Sequence, residues 1–129
     1  MIVVDASALL EALLLTEAGL AIGDRLFARS PSLHAPELID LEIAQVLRRY
    51  ELDGTLDDDR AELALLDLAD VRLERWPHRA LLPRIWELRG NLTAYDAAYV
   101  ALAEALGAPL LTRDRRLAAA PHQARIEVV

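Results

Sequence analysis

Along the chain, short continuous apolar runs alternate with longer stretches whose apolar positions recur at helical spacing. Residues 2–4 (IVV) form one such run, closed by Asp5, and "ASALLEALL" behind it carries the helical period, so a strand is expected to lead directly into a helix. Residues 17–28 continue as a second helix, weakened by two glycines. A short strand is expected around Leu33 to Ala35, and Pro36 then opens a helix to about Glu51, a favoured use of proline in a first turn. In the polar connection "LDGTLDDD", Gly54 suits a helix end and Asp57 to Asp59 suit the next helix start. There follow a helix to about Ala69, a strand at Val71 to Glu74, and helices at His78 to Arg89 and Ala94 to Leu106. A strand at Pro109 to Thr112, a short helix after Asp114 and a final strand at Arg125 to Val128 complete the pattern, without repeats, linkers or low complexity.

Strands alternating with helices imply an α/β fold, a parallel sheet covered on both faces and joined by right-handed crossovers. With 129 residues the chain is expected to form one domain spanning residues 1–129, burying roughly two thirds of the surface exposed when unfolded. In such sheets chemistry concentrates at the carboxyl ends of the strands. Asp5 lies at one such end and Asp114 just past another. Two further acids ride on helices. At roughly 100° per residue Glu42 projects between Leu38 and Val46, inside the apolar face, whereas Asp40 falls at its margin and Glu37 in the first turn. Asp96 likewise projects between Tyr99 and Val100, toward the interior.

Each acid also has a plainer reading. Asp5 and Asp114 suit N-caps, Asp96 stands three residues after Thr93 as in a capping box, and Glu42 has Arg48 and Arg49 within reach on its own helix. Taken together, however, the acids converge: two mark strand ends of one parallel sheet and two occupy inward helix positions. A buried carboxylate is tolerated only with a partner charge or a metal.

Composition narrows the chemistry. The chain is 54% hydrophobic, yet no apolar run approaches the roughly 20 residues of a membrane span, and the N-terminus lacks a signal-peptide pattern, so a cytoplasmic protein is expected. Without cysteine, disulfides and thiolate metal sites are excluded. All 14 basic residues are arginine and the net charge is −7, so a polyanionic partner would have to meet a local arginine patch. His34, His78 and His122 are scattered without metal-ligand spacing, and phosphate loops, nucleophile elbows and dinucleotide fingerprints are missing. A pocket of carboxylates with no lysine calls for a hard cation such as Mg²⁺ or Mn²⁺. Two such ions can activate a water and stabilise the leaving oxygen in a phosphodiester displacement.

The segments "VVDASALL", "ELIDLEIAQVLRR" and "LTAYDAAYVALAEALGAPLLTRDRRL" together resemble the PIN-domain ribonucleases, in particular the VapC-type toxins of bacterial toxin–antitoxin pairs. The resemblance spans almost the whole chain and keeps the order and approximate spacing of the family's motifs. It carries the acidic quartet onto Asp5, Glu42, Asp96 and Asp114, and the supporting hydroxyls onto Ser7 and Thr112. It implies a three-layer α/β/α fold with a short, mainly parallel sheet, dependence on Mg²⁺ or Mn²⁺, an RNA substrate, a homodimer and a cognate VapB-like antitoxin. The implied roles are metal binding by Asp5, Asp96 and Asp114, directly or through water, with Glu42 completing the cluster or orienting the attacking water. Arg113, Arg115 and Arg116 border Asp114 and are candidates for holding RNA phosphates, or solvated helix charges. A receiver-type signalling domain is disfavoured by the absence of lysine, and a haloacid-dehalogenase-like phosphatase by Ala6 and Ser7 following Asp5. The remaining alternative is a non-catalytic PIN-like binding module whose acids receive a partner's arginines.

Overall fold

The computed structural model describes residues 1–28 and 31–129. Five parallel strands form one sheet: β1 (Ile2–Val4), β2 (Leu33–Pro36), β3 (Leu73–Trp76), β4 (Leu110–Thr112) and β5 (Ile126–Val128), in the order β3-β2-β1-β4-β5. Between them run α1 (Ala6–Leu14), α2 (Glu17–Gly23), α3 (Ile39–Leu52), α4 (Asp58–Asp70), α5 (Leu82–Glu87), α6 (Ala94–Leu106) and α7 (Arg115–Ala119). The chain steps outward from β1 to β2 to β3, then returns to place β4 on the other side of β1. Right-handed crossovers therefore put α1 to α4 on one face and α5 to α7 on the other, the expected three layers. Packing agrees, since α1 touches α2, α3 and α4 while α6 touches α5 and strands β1, β2 and β4.

The central strands carry residues buried on both faces. Val3, Val4, Leu110 and Leu111 are fully enclosed, which is why β1 and β4 read as unbroken apolar runs and not as alternating ones. Edge strands β3 and β5 are only half-buried and correspondingly polar. Among the described residues, no single helix is long and apolar enough to cross a membrane.

Three element boundaries depart from the expected ones. Pro36 does not open α3 but ends β2, paired opposite Trp76, and Glu37 N–H still donates to the Trp76 carbonyl (2.9 Å) before the helix begins at Ile39. The parallel ladder to β3 thus outweighs proline's preference for a first helical turn, at a strand end where its missing N–H is harmless. Strand β3 starts at Leu73, not Val71, because Val71 is spent capping α4. The helix expected from His78 to Arg89 is instead a 3₁₀ turn (Arg79–Leu81) followed by α5, with Pro83 at the new start, where a residue without an N–H cannot continue the preceding turn. Residues 24–28 continue α2 as a π-helical turn. The histidines sort individually: His34 is buried in β2, accepting from Trp76 Nε1 (3.0 Å) and bonded to Ser32 (3.0 Å), whereas His78 is exposed.

Helices α1 and α2 meet at a tight corner. Thr16 caps α2 by accepting from Gly19 N–H (2.9 Å) and donates its hydroxyl to Glu11. A Cβ on Gly19 would lie well inside van der Waals contact of the Glu11 carbonyl, which is backbone and cannot swing aside. Gly19→Ala is accordingly expected to destabilise the fold by about 1–3 kcal/mol through overpacking. Urea unfolding checks this as a lower midpoint at unchanged slope.

Candidate active site

In a parallel α/β sheet the helices run back against the strands, so the first turn of each stands at the carboxyl edge. The strand order reverses between β1 and β4, and a crevice opens at that edge. Asp5 leaves β1 and caps α1, and Asp114 follows β4 and caps α7. Glu42 lies in the first turn of α3 and Asp96 in the first turn of α6. All four acids expected from the sequence thus stand on helix N-termini at one end of the sheet, where the helix dipoles favour negative charge. They feel one another: Asp96 acts on Asp5 and Glu42, Asp5 on Glu42, and Asp114 on Asp96.

Asp5 is the best enclosed, with 7% of its surface exposed. Its Oδ1 accepts from Ser7 Oγ (2.7 Å) and from Ala8 N–H (3.0 Å), while its Oδ2 accepts from the Thr112 hydroxyl. These hydroxyls also tie down the loop after β4, since Arg113 N–H donates to Ser7 Oγ (3.0 Å) and Asp114 N–H to Thr112 Oγ1 (2.9 Å). Ser7 and Thr112 therefore stitch the end of β1 to the end of β4 through hydrogen bonds to Asp5. Burial nevertheless pushes the Asp5 carboxyl above its ordinary value, outweighing those hydrogen bonds.

Glu42 makes no pair with Arg48 or Arg49. Its Oε1 accepts from the Tyr99 hydroxyl (2.6 Å), and Tyr99 is 2% exposed. Burial, together with the charges of Asp96 and Asp5, raises the Glu42 carboxyl despite that bond. Burial and the neighbouring Glu42 charge push the Tyr99 phenol upward in turn, so it remains a donor. In the sequence Tyr99 serves only to mark the interior side of the helix; its place three residues from Asp96 on one helix face is the available signal of a role at the site. Asp96 is half-buried and also raised, by burial and then by Asp114. Only half of the capping box is formed: Asp96 N–H donates to Thr93 Oγ1 (3.2 Å), so Thr93 caps α6 through the Asp96 backbone and the Asp96 carboxylate takes no part in the cap.

Asp114 behaves differently. Arg116 grips its carboxylate through Nη2 (2.6 Å) and Nε (3.0 Å) and holds the acid below its ordinary value. Of the other two candidate arginines, Arg113 donates through Nη1 to the Val129 carbonyl (2.7 Å), and Arg115 is exposed without a hydrogen bond among the described residues.

Hard carboxylate oxygens are the right donors for Mg²⁺ or Mn²⁺. Asp5 Oδ1 already accepts two bonds but Oδ2 only one, which leaves Oδ2 a lone pair directed elsewhere. As the side chains stand, however, no three acids or histidines among the described residues are close enough to hold one ion. The donor set fits a cation, with Asp114 turned away to Arg116 in the arrangement seen.

Strand order, crevice and acidic quartet together define a class of protein. The PIN-domain family model matches residues 2–123, and the chain belongs to that family. It is 40% identical to ribonuclease VapC12 of Mycobacterium tuberculosis over 130 residues, covering 100% of this chain and 99% of that one. Among solved structures, PAE2754 from Pyrobaculum aerophilum superposes with a TM-score of 0.71 at 29% identity, covering 97% of this chain and 87% of the other. VapBC2 from Rickettsia felis, bound to a DNA fragment from their promoter, superposes with a TM-score of 0.70 over 98% of each chain, and at 17% identity shares the fold.

The pocket's charges set a pH dependence. Asp5, Glu42 and Asp96 hold protons more firmly folded than unfolded, so without metal their contribution is fullest below the ordinary values of 3.8 and 4.5. It is lost as pH rises through their raised folded values. Asp114 and Glu104, both lowered by arginines, contribute above those ordinary values and lose their share as pH falls through their depressed folded ones. In chelator, stability is therefore expected to rise as pH falls from neutral toward the ordinary carboxylate range, then to fall in stronger acid. Asp96→Asn keeps the Thr93 cap, which uses the backbone, and removes one repelling charge. It is expected to melt higher than wild type at neutral pH by on the order of 1 kcal/mol, with a flatter acid-side rise. Thermal melts across pH in chelator check both; a variant melting below wild type would mean that the carboxylate serves the fold.

Proposed function

We propose that this chain is a divalent-cation-dependent endoribonuclease, a hydrolase acting as the toxin of a toxin–antitoxin pair. The observation that carries the reading is the meeting of Asp5, Glu42, Asp96 and Asp114 at the switch point of the sheet, mutually repelling and free of lysine. The full-length similarity to a protein named ribonuclease supports RNA as the substrate. A VapB-like antitoxin partner accords with the fold shared with VapBC2. A homodimer accords with Leu63 and Leu66, three residues apart on α4 and left exposed. We take the protein to act in the cytoplasm.

In this reading Asp5 through Oδ2, Asp96 and Asp114 are the residues that would hold Mg²⁺ or Mn²⁺. Such a cation supplies positive charge against the phosphate oxygens and makes a nearby water more acidic. Glu42 keeps Oε2 clear while Tyr99 fixes Oε1, so the carboxylate is oriented to accept a proton from the attacking water. Its raised affinity for protons suits that role. Ser7 and Thr112 hold Asp5 in place, and Arg113, Arg115 and Arg116 border the pocket where phosphates of the strand would lie. The water oxygen bonds to phosphorus, the bond from phosphorus to O3′ breaks, and a proton ends on O3′. A second reading, a binding module without catalysis, draws on the Arg116 grip on Asp114, which demonstrates that this carboxylate accepts a guanidinium.

Two measurements test the proposal. Cleavage of total cellular RNA with Mn²⁺ or Mg²⁺ is expected to leave 5′-phosphate and 3′-hydroxyl ends and to vanish in Asp96→Asn. Cyclic 2′,3′-phosphate ends would exclude water as the nucleophile, cleavage equal in the variant would remove Asp96 from the catalytic set, and no cation-dependent cleavage by wild type would favour the binding module. The second concerns Arg116, whose side chain is 83% exposed, so that its ion pair with Asp114 is screened by solvent and weak. Arg116→Ala is expected to tighten Mn²⁺ binding by up to about five-fold in calorimetric titrations without RNA, because Asp114 is released. Unchanged affinity would remove Asp114 from the set of cation ligands.

A further inference from the structure

The Arg116 side chain closes off one acid of the pocket without serving the fold. Its Nη2 and Nε reach the Asp114 carboxylate at 2.6 and 3.0 Å, yet the cap that starts α7 is made by the Arg116 backbone N–H on Asp114 Oδ1 (2.9 Å). Unlike the pairs of Arg75 with Asp40 and Arg84 with Glu104, the grip joins residues two apart in one turn and ties no element to another. The guanidinium lies largely in solvent, and its Nη1 makes no hydrogen bond among the described residues. It stands where a cation would act. Asp96, raised by burial and then by Asp114, is eased by the Arg116 charge, so one guanidinium bears on two of the carboxylates proposed to hold metal. In this arrangement no three acids or histidines among the described residues are close enough to hold one ion. A divalent cation has to take Asp114 from Arg116.

Donor chemistry says what opens the grip. A guanidinium binds phosphate oxygens through the same fork of N–H groups that binds a carboxylate, and an RNA strand brings such oxygens to the pocket. Nη1 can take the first of them while Nε and Nη2 still hold Asp114, and an exposed ion pair opens at little cost. We propose that Arg116 is a phosphate-operated latch on the cation site: a phosphate of the RNA draws the guanidinium off Asp114 and frees that carboxylate for Mg²⁺ or Mn²⁺, so that strand and cation bind cooperatively. The latch rests on the ribonuclease reading and adds an order of assembly to it. Without a strand the pocket keeps Asp114 neutralised by its own arginine, and the cation site is completed where RNA lies. Linkage makes the coupling reciprocal, so the cation tightens the strand by the same factor. Arg116 acts on the cation through Asp114, as a positioning residue.

Phosphate charge by itself also attracts a cation, so the test isolates the share that needs Arg116. Mn²⁺ affinity is measured by calorimetry with and without a saturating short single-stranded RNA of mixed sequence, in Glu42→Gln protein so that the strand stays whole, as denaturing gels confirm. This protein is compared with its Arg116→Ala and Arg115→Ala derivatives, thermal melts confirming that both exposed positions leave the fold intact. RNA is expected to tighten Mn²⁺ in all three, but by about two- to five-fold less with Arg116→Ala, in which Asp114 is already released. Arg115→Ala removes a charge from the same turn without touching Asp114, and is expected to keep the full gain whatever it does to RNA affinity. An equal gain with and without Arg116 would overturn the latch. So would an equal loss of coupling in both arginine variants, which would reduce Arg116 to a general positive charge. If RNA left Mn²⁺ affinity unchanged in every protein, strand and cation would bind independently and the proposal would fail. Failure of the ribonuclease reading is separate, visible as wild type cutting no RNA with Mn²⁺, while the calorimetry still decides the coupling.

Discussion

The direction of the strands governs this molecule. Because all five run parallel, the helices return antiparallel to them, and the amino ends of α1, α3, α6 and α7 are delivered to the same edge of the sheet. Each carries an acid of the pocket, either as its cap or in its first turn. Helix N–H groups and dipoles are what make such a concentration of negative charge tolerable in a folded chain that binds no lysine there. The opposition between capping and catalysis that the sequence poses is thus a false one. Asp5 and Asp114 both cap their helices; the Asp5 cap leaves an Oδ2 lone pair unused at the crevice, whereas the Asp114 carboxylate is held by Arg116.

The pocket is held largely by neutral hydroxyls. Ser7, Thr112 and Tyr99 donate to Asp5 and Glu42 without neutralising either, so the carboxylates are positioned while their charge stays available. A lysine or arginine in those places would stabilise the fold more and leave less for a cation or a substrate to gain. Arg116 is the exception, and it sits on the outermost and least enclosed acid, where an exposed ion pair is cheap to open. Enclosure therefore decreases from Asp5 outward to Asp114. Rigid, hydroxyl-bound acids lie at the floor, and exchangeable partners lie at the mouth.

Such a site works against the fold that contains it. Three of its carboxyls are pushed upward by burial and by one another, so the metal-free pocket stores repulsion that protons, cations or guanidinium groups can relieve. The interior offsets this elsewhere. Apolar packing of β1, β4 and α6, with Val4, Ala97, Val100 and Leu111 fully or almost fully enclosed, anchors the elements that bear the acids. Bidentate arginine pairs tie α3 to strand β3, through Asp40 and Arg75, and α5 to α6 within their layer, through Arg84 and Glu104.

The alternation of strand and helix, the parallel sheet and the four acids are legible along the chain, because short apolar runs, helical periodicity and residues at strand ends are local properties. The place of Ser7 and Thr112 beside the acids is legible too, since both are within two residues of one. Where a boundary depended on a neighbouring strand, local signals misled: Pro36 reads as a helix opener until its pairing with β3 is known. The partners of the acids were equally hidden. Glu42 reaches Tyr99 across 57 positions of chain, and Thr112 reaches Asp5 across 107, so no spacing rule could join them. Arg116, two residues from Asp114, was close enough to notice, yet only side-chain placement turned it from a phosphate candidate into the present holder of that carboxylate. Composition named the groups, and the closing of the sheet about β1 and β4 decided which of them touch, because contact between distant residues exists only once the chain has paid the entropy of bringing them together.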